Sequence, residues 1–337
     1  MSISIVKPGV HTTVQDAGRP HFLDQAVPLS GVMDRAAATL ANLLVGNEPD
    51  AALIEIVDGN FECVTQEEVL LALVAGSAQV EINGQAASIN RPMYLPKNTR
   101  LHLKNNVAGR YAYLAIAGGW EVPQVLGSKS TFVTAMFGGY QGRCLKKDDE
   151  LEGAATLSTQ AIHLCQYLKS DVANWPAWSI PPQQLSGTGS QKLRVIMGRE
   201  FDWFEEKTVA DFLSKSYQFT SVNRMGARLQ GPPVTRKPSQ QNELLSTAVV
   251  PGTIQVTGDG SLILLLADCQ TTGGYPRLAK VAEVDLPICA QCKPGQPLHF
   301  ELINLQEAEK LYLDREKEFQ KLATAIQLKI ESYNASY

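Results

Sequence analysis

Two polar loops hold most of the side chains in this chain that could do chemistry. Residues 12–20 combine hydroxyl, amide, carboxylate and guanidinium groups with a Gly and a Pro, and they show neither helical nor strand periodicity. Residues 268–276 repeat this content with an Asp, a Gln, a Thr-Thr pair and a Gly-Gly pair. Loops so rich in polar groups are more often sites than connectors, because their backbone is held while the side chains stay available.

A third run, Gly-Ser-Lys-Ser-Thr at residues 127–131, places three hydroxyls around one cation. It is not a P-loop, because its Gly and Lys are not adjacent, and the sequence contains no dinucleotide-binding or nucleophile-elbow motif. The run suits either the binding of an anion or carboxylate, or a capped turn with a surface lysine.

Length and charge exclude several classes of function. A chain of 337 residues exceeds one typical core, which favours two domains. Its 30 basic and 34 acidic residues give no basic excess for nucleic acid or a membrane surface. The N-terminus lacks the apolar core of a signal peptide, and the apolar runs at 69–74 and 262–267 are too short to span a bilayer. We expect buried strands at both runs and a cytoplasmic protein.

The six cysteines and five histidines show no ligand spacing that specifies a metal. Cys289 and Cys292 have the C-x-x-C spacing, but a zinc site would need a second pair of ligands nearby in the sequence, and none appears. Reduced core thiols are the default in an intracellular chain of this size. The sequence therefore predicts no metal ligands.

Short apolar or alternating runs between turn residues predict a mainly β protein with few helices. Asn83-Gly84 between two such runs is a hairpin signal. Asp34 is a good N-cap for the first expected helix. The expected helices cover residues 35–45, 201–213 and 305–330. The last is long and amphipathic, which is typical of packing or of contact with a partner.

Residues 175–191 are rich in Pro, Gly, Ser and Gln, and they are the best candidate for a linker. Weak similarities on either side of this segment, such as between residues 30–34 and 221–226, indicate two similar β domains. We expect the polar loops at 12–20 and 268–276 to face a common cleft.

Motifs in a fixed order resemble those of the C subunit of 5-oxoprolinase. They lie at residues 12–20, 30–34, 41–47, 126–131, 138–143, 223–226, 252–256 and 268–276. This family is also called the biotin-dependent carboxyltransferase family, or allophanate hydrolase subunit 2. It includes the kinase-inhibitor antagonist of sporulating bacteria and the carboxyltransferase part of urea carboxylase. The resemblance covers about residues 3–302.

The resemblance implies two cyclophilin-like β-barrel domains with a few helices. The first would span residues 1–185 with insertions, the second residues 186–303, and a C-terminal amphipathic helix residues 304–337. It also implies two protein partners, the B subunit and the A subunit of 5-oxoprolinase. Together the three proteins would open 5-oxo-L-proline to L-glutamate with ATP and Mg²⁺. Because the chain has no nucleotide motif, we expect it to be inactive alone.

The implied reaction needs groups that bind anions, a base for water and donors for a developing oxyanion. The expected catalytic residues offer carboxylate, guanidinium, amide and hydroxyl groups: Asp16, Arg19, Asp268, Gln270 and Thr271. The expected substrate-binding residues are Thr13, Gln15, Ser128, Ser130, Arg143, Asn223, Arg224, Thr272, Gly273, Gly274 and Tyr275. The Gly273-Gly274 pair suggests backbone that bends outside normal φ/ψ space or approaches a ligand closely.

Three classes of function stay open. The first is a component of an ATP-dependent 5-oxoprolinase. The second is a carboxyltransferase that acts on urea or a related amide with biotin. The third is a non-catalytic protein that binds a kinase inhibitor. In none of them does the sequence predict nucleic acid or a membrane as a partner.

Overall fold

The computed structural model describes residues 1–106, 109–180, 192–241 and 243–334 of the chain. The chain forms two compact units. Unit 1 contains Met1–Gly18, Asp34–Thr188 and Lys317–Tyr337, and unit 2 contains Arg19–Met33 and Gly189–Glu316. Residues 181–191 of the expected linker lie outside the described part.

Unit 1 is built from two antiparallel sheets around one core. Its strands are β1 (Ser2–Pro8), β2 (His11–Gln15), β3 (Leu53–Val57), β4 (Gly59–Thr65), β5 (Val69–Val74), β6 (Ala78–Ile82), β7 (Gln85–Ala86), β8 (Pro92–Leu95), β9 (Arg100–Asn106), β10 (Tyr111–Ile116) and β11 (Glu150–Glu152). One sheet has the order β11-β1-β4-β9-β6-β7 and the other β2-β3-β10-β5-β8. The expected strand at 69–74 is thus confirmed as β5.

The two sheets of unit 1 differ in how much of each strand is buried. β5 and β10 are buried at every residue, because the helices α1 (Arg35–Leu44) and α2 (Thr159–Leu168) pack on that sheet. The strand β9 of the other sheet instead buries only Leu101, Leu103 and Asn106. Apolar side chains from both sheets form the core, which explains why the strands read as short continuous or alternating apolar runs.

Local signals in unit 1 behave as expected. Asn83 and Gly84 have φ of 51° and 80° and join β6 to β7, which is the conformation of a tight hairpin turn. Asp34 caps α1 by accepting a hydrogen bond from the Ala37 N–H at 3.0 Å.

The expectation of a loop throughout 12–20 is wrong, since residues 12–15 belong to β2 and pair with β3.

Unit 2 is a closed barrel in the order β12-β19-β16-β17-β14-β13-β20. Its strands, in chain order, are β12 (Lys192–Met197), β13 (Tyr217–Val222), β14 (Gly226–Gln230), β15 (Thr247–Ala248), β16 (Thr253–Val256), β17 (Leu262–Leu265), β18 (Thr272–Gly273), β19 (Arg277–Val281) and β20 (Pro297–Leu302). β15 and β18 form a separate two-stranded ribbon. The expected buried strand at 262–267 corresponds to β17.

The remaining α-helices of the described residues are α3 (Glu206–Ser214), α4 (Leu286–Gln291) and α5 (Leu305–Asn334). The helix expected at 201–213 is divided, since a 3₁₀ turn at Phe201–Trp203 precedes α3. The expected C-terminal helix is confirmed as α5. The predicted fold class, mainly β with a few helices and a C-terminal helix, is therefore confirmed. Of the two expected barrels, unit 2 is a closed barrel, whereas the strands of unit 1 form two separate sheets.

In the part of the chain that the structure describes, no helix is both long and apolar enough to cross a membrane.

All six cysteines are free thiols. Burial raises the pKa of Cys63 and of Cys269 to about 12, so both stay protonated and unreactive at neutral pH. Among the described residues no group of His, Cys, Asp and Glu side chains is arranged to hold a metal ion.

Candidate functional site

Unit 1 brings the first and third polar runs of the sequence together around one carboxylate. Asp16 Oδ1 accepts hydrogen bonds from the hydroxyls of Ser128 and Ser130 at 2.6 and 2.5 Å, and from the Gly18 N–H at 2.8 Å. Its Oδ2 accepts the Lys129 N–H at 2.5 Å. We call these five residues the Asp16 cluster. The 127–131 run therefore does bind a carboxylate, and that carboxylate is the protein's own.

Neighbouring side chains extend the Asp16 cluster into the core. Gln15 is fully buried, and its amide nitrogen donates to Thr13 Oγ1 at 2.9 Å and to the Thr131 carbonyl at 3.1 Å. Thr131 returns two hydrogen bonds to the carbonyl of Val14. Among the described residues the Gln15 Oε1 atom has no hydrogen-bond partner. These contacts give Thr13 and Gln15 a role in fixing the loop that carries Ser128 and Ser130.

The segment after the 127–131 run has an unusual backbone. Met136 and Gln141 are not glycines, yet they have φ of 55° and 56°, and Gly139 and Gly142 have φ of 52° and 67°. A Cβ on Gly139 would lie 1.9 Å from Thr131 Oγ1, so only glycine fits against that hydroxyl. Left-handed backbone at non-glycine residues persists only where the surroundings hold it in place.

Arg143 closes this segment with a bidentate ion pair. Its Nη1 and Nη2 atoms donate to Asp149 Oδ2 and Oδ1 at 2.7 and 2.8 Å, and Nη2 also donates to Gln141 Oε1 at 2.9 Å. Desolvation of the Asp149 carboxylate raises its pKa, but the hydrogen bonds and the charge of Arg143 outweigh this effect. The pKa of Asp149 is therefore held below its usual range. The Arg143 guanidinium, which the sequence offered for a substrate, is therefore engaged within this segment.

In unit 2 two further predicted site residues pair with each other. Arg224 Nε and Nη2 donate to Asp268 Oδ2 and Oδ1 at 2.7 and 3.1 Å, and both side chains are buried. Arg224 Nη2 also donates to the Gly31 carbonyl at 2.6 Å, and the Ser30 N–H donates to the Ala267 carbonyl at 3.0 Å. The Arg224–Asp268 pair and these main-chain contacts therefore hold residues 30–31 against the start of the second polar loop.

Arg19 and Asn223 also belong to unit 2. Arg19 is buried, and its main-chain N–H donates to the Leu29 carbonyl at 2.8 Å. Asn223 Oδ1 accepts from the N–H groups of Met225 and Gly226, so the side chain forms the turn between β13 and β14. The expected common cleft for the loops at 12–20 and 268–276 stays a prediction.

The second half of the 268–276 loop is the part that solvent reaches. Gln270, Thr272, Gly274 and Tyr275 are exposed, whereas Thr271 is buried and its carbonyl accepts the Val249 N–H. The loop thus presents an amide, a hydroxyl, a phenol and glycine backbone to solvent. These are suitable donors for a carbonyl or carboxylate of a small ligand.

Gln255, which was not among the residues predicted from the sequence, supports this loop through a hydrogen bond. Gln255 is buried, and its amide nitrogen donates to the Tyr275 carbonyl at 3.2 Å. A Cβ on Gly273 would lie 2.6 Å from that same nitrogen. A glutamine between two apolar residues of a strand-like run, Ile254 and Val256, was the available signal.

The backbone of the Gly273-Gly274 pair corrects one expectation. Gly273 and Gly274 are not among the described glycines with positive φ, so the expectation of backbone outside normal φ/ψ space is wrong. Glycine at position 273 has a packing reason instead, because a Cβ there would displace the buried Gln255 amide from its hydrogen bond to the Tyr275 carbonyl. The close approach at Gly273 is therefore to a residue of the protein itself.

We expect Gly273→Ala to reduce stability more than Gly274→Ala. The first added methyl group collides with the Gln255 amide, while the second meets the Leu244 carbonyl at 3.2 Å and needs only a small shift. The expected loss is about 1–3 kcal/mol for Gly273→Ala, as for overpacking of a core, and less than about 1 kcal/mol for Gly274→Ala. Urea denaturation of both variants measures the difference, and equal losses would contradict this explanation.

Comparison with known proteins agrees with the motifs. Residues 25–302 match the family model described as "Carboxyltransferase domain, subdomain A and B". The chain belongs to this carboxyltransferase family. It is 35% identical to the C subunit of 5-oxoprolinase from Escherichia coli over 95% of this chain and 97% of that protein. The sequence resemblance to this family is thereby confirmed.

Other members of the carboxyltransferase family are larger proteins. The urea amidolyase of Saccharomyces cerevisiae is 30% identical over 92% of this chain, but the match covers 17% of the yeast protein. The crystal structure of the K. lactis urea amidolyase superposes with a TM-score of 0.82 at 28% identity. That superposition covers 95% of this chain and 20% of the solved protein. The same fold therefore occurs as one region of much longer chains.

Proposed function

We propose that the chain is the C subunit of an ATP-dependent 5-oxoprolinase, which opens 5-oxo-L-proline to L-glutamate together with its A and B subunits. One observation carries the proposal: the 35% identity to the Escherichia coli protein of that name spans nearly the whole of both chains.

In this proposal the exposed residues of the second polar loop bind the substrate. Gln270 and Thr272 supply an amide and a hydroxyl for the lactam carbonyl or the carboxylate of 5-oxoproline, and Tyr275 and Gly274 line the same surface. Thr271, with its carbonyl bonded to Val249, orients the loop. Donors held in place before the substrate arrives stabilise a developing oxyanion most effectively.

The predicted carboxylates and arginines receive a positioning role in this proposal. Each oxygen of Asp16 and of Asp268 already accepts a hydrogen bond from this chain, so both carboxylates hold loops of the protein in place. Arg143 and Arg224 are bonded to Asp149 and Asp268. We therefore assign the activation of water to a partner protein, which accounts for the expected inactivity of the chain alone.

The 127–131 run, which the sequence offered for an anion or a carboxylate, does not fit a phosphate group. In the 127–131 run the hydroxyls of Ser128 and Ser130 face Asp16, and Lys129 Nζ donates to the Trp120 carbonyl at 3.1 Å. A phosphate placed there would be repelled by the Asp16 carboxylate. In the proposed complex ATP and its Mg²⁺ are therefore bound by a partner protein.

Reconstitution tests the proposed function. The purified chain, the cognate A and B subunits, and all three proteins together are incubated with 5-oxoproline, ATP and Mg²⁺, and glutamate and ADP are measured. We expect no glutamate from this chain alone or from the partners without it, and ATP-dependent glutamate from the complete mixture. Turnover by this chain alone, or undiminished turnover by the two partners without it, would reject the proposal.

A second function is favoured by the urea amidolyase relatives and by the family itself. Under that function the chain would accept a carboxyl group carried by biotin and transfer it to urea or a related amide. The exposed Gln270 and Thr272 could hydrogen-bond the ureido ring of biotin.

To test this second function, the reconstitution is repeated with urea, bicarbonate, ATP, a biotin carboxylase and a biotinylated carrier. Carboxylation of urea without glutamate formation would establish this second function, whereas inactivity in both assays would favour the regulatory binding of a kinase inhibitor.

A further inference from the structure

A groove on unit 2 lies outside the residues considered so far. It encloses about 300 Å³, which is at the lower end of the range for small-molecule sites. Residues from β13, β14 and the two turns beside them line it, among them Tyr217, Thr220, Arg228, Gln230, Pro232 and Ser261. We call it the Arg228 groove.

The barrel itself shapes the floor of the Arg228 groove. The pairing of β13 with β14 shifts register between Phe219 and Ser221, and Thr220 is exposed at this bulge. Gly231 lies so close to Tyr217 that an added Cβ would be 2.2 Å from the aromatic ring. Burial raises the pKa of Tyr217 to about 12, and its hydroxyl donates to the Pro232 carbonyl at 2.7 Å. The floor is therefore an uncharged aromatic ring beside proline.

Polar donors stand above this floor. Along β14, Ala227 and Leu229 are buried and Arg228 and Gln230 are exposed, so the last two lie on one face of the strand. Gln230 Oε1 accepts from Gln218 at 3.3 Å, which leaves the NH₂ group of Gln230 as a donor. Two hydrogen-bonding side chains at i and i+2 thus reach the same groove.

Within the described chain the charge of Arg228 has no carboxylate partner, whereas six other arginines have one. Arginines with a carboxylate partner include Arg100, Arg110, Arg143, Arg194, Arg224 and Arg277. The described residues that line the groove include no Asp or Glu, and they give the Arg228 guanidinium no hydrogen bond. The nearby Asp259 accepts hydrogen bonds from Thr257 and Ser261 instead.

We propose that the Arg228 groove binds a small organic carboxylate. The planar guanidinium of Arg228 matches the two oxygens of a carboxylate, and Gln230 adds a neutral donor beside it. The ring of Tyr217 and the prolines cover an apolar body of a few carbon atoms. Phosphate fits less well, because phosphate sites usually gather several charged or main-chain donors around one group, and the groove offers one guanidinium.

Calorimetric titration of the full chain tests the proposal with three probes: valerate, its neutral amide valeramide, and inorganic phosphate. We expect saturable binding of valerate, and at least about tenfold weaker binding of valeramide and phosphate. Arg228→Gln should weaken valerate binding at least about tenfold. Arg228→Lys should weaken it less, because lysine keeps the positive charge but loses the two parallel donors of the guanidinium. Arg199→Gln removes one exposed charge elsewhere on unit 2 and should leave binding unchanged.

Circular dichroism of each variant checks that it is folded, as the exposure of Arg228 predicts. Gln230→Leu provides a second variant, with an expected loss of about threefold or more in valerate affinity. The proposal is overturned by an absence of saturable valerate binding, by equal affinity for valeramide, or by tighter binding of phosphate. An equal loss in Arg199→Gln would likewise overturn it, since that result means attraction by net charge alone.

Discussion

Arg224→Met is expected to lower the free energy of unfolding by about 3–5 kcal/mol. The substitution leaves the Asp268 carboxylate buried without its two guanidinium donors, and it removes the hydrogen bond to the Gly31 carbonyl. The cost arises mainly from the uncompensated buried charge rather than from the attraction that is lost. Urea denaturation of the purified chain measures the change.

Two further variants make this experiment decisive. Arg199→Met removes an exposed arginine of the same unit and should change stability by less than about 0.5 kcal/mol. Arg224→Met combined with Asp268→Asn removes both charges and should recover part of the loss, because no charge then stays buried alone. A loss below about 1 kcal/mol in Arg224→Met would show that the pair does not hold the loop.

Asp16→Ala is expected to lower the free energy of unfolding by about 2–4 kcal/mol. The hydroxyls of Ser128 and Ser130, both buried, and the N–H groups of Gly18 and Lys129 lose their common acceptor. Each buried donor left unsatisfied costs about 1–3 kcal/mol, and water replaces some of these bonds because Asp16 itself is half-buried. Thermal or urea denaturation measures the loss.

The same variants separate a structural from a catalytic role of Asp16. Asp16→Asn keeps the shape and one acceptor oxygen, so it should lose less stability than Asp16→Ala. Asp50→Ala, at an exposed aspartate of the same unit, is the matched control and should change stability little. If Asp16→Ala folds with unchanged stability and only the reconstituted activity falls, Asp16 acts directly on the substrate and the positioning role is wrong.

Most of the secondary structure could be predicted because its signals are local. Asn83 and Gly84 accept left-handed backbone at low cost, and therefore mark a hairpin turn in any context. The carboxylate of Asp34 caps a helix through the residue three positions later. The apolar run of β5 marks a strand that is covered on both faces. For the turn and the cap the partners lie within a few residues, so the sequence alone contains the interaction.

The roles of the polar residues were decided only by tertiary structure. Asp16 and Ser128 are 112 positions apart, and Arg224 and Asp268 are 44 apart, so nothing in the spacing indicates that each pair shares hydrogen bonds. A carboxylate and a guanidinium look equally available for substrate until folding places a partner beside them. Composition identified the segments that carry polar chemistry. Long-range packing then determined which of these side chains are bonded within the protein and which, such as Gln270, stay exposed, because a buried charge must be paired and an exposed polar group need not be.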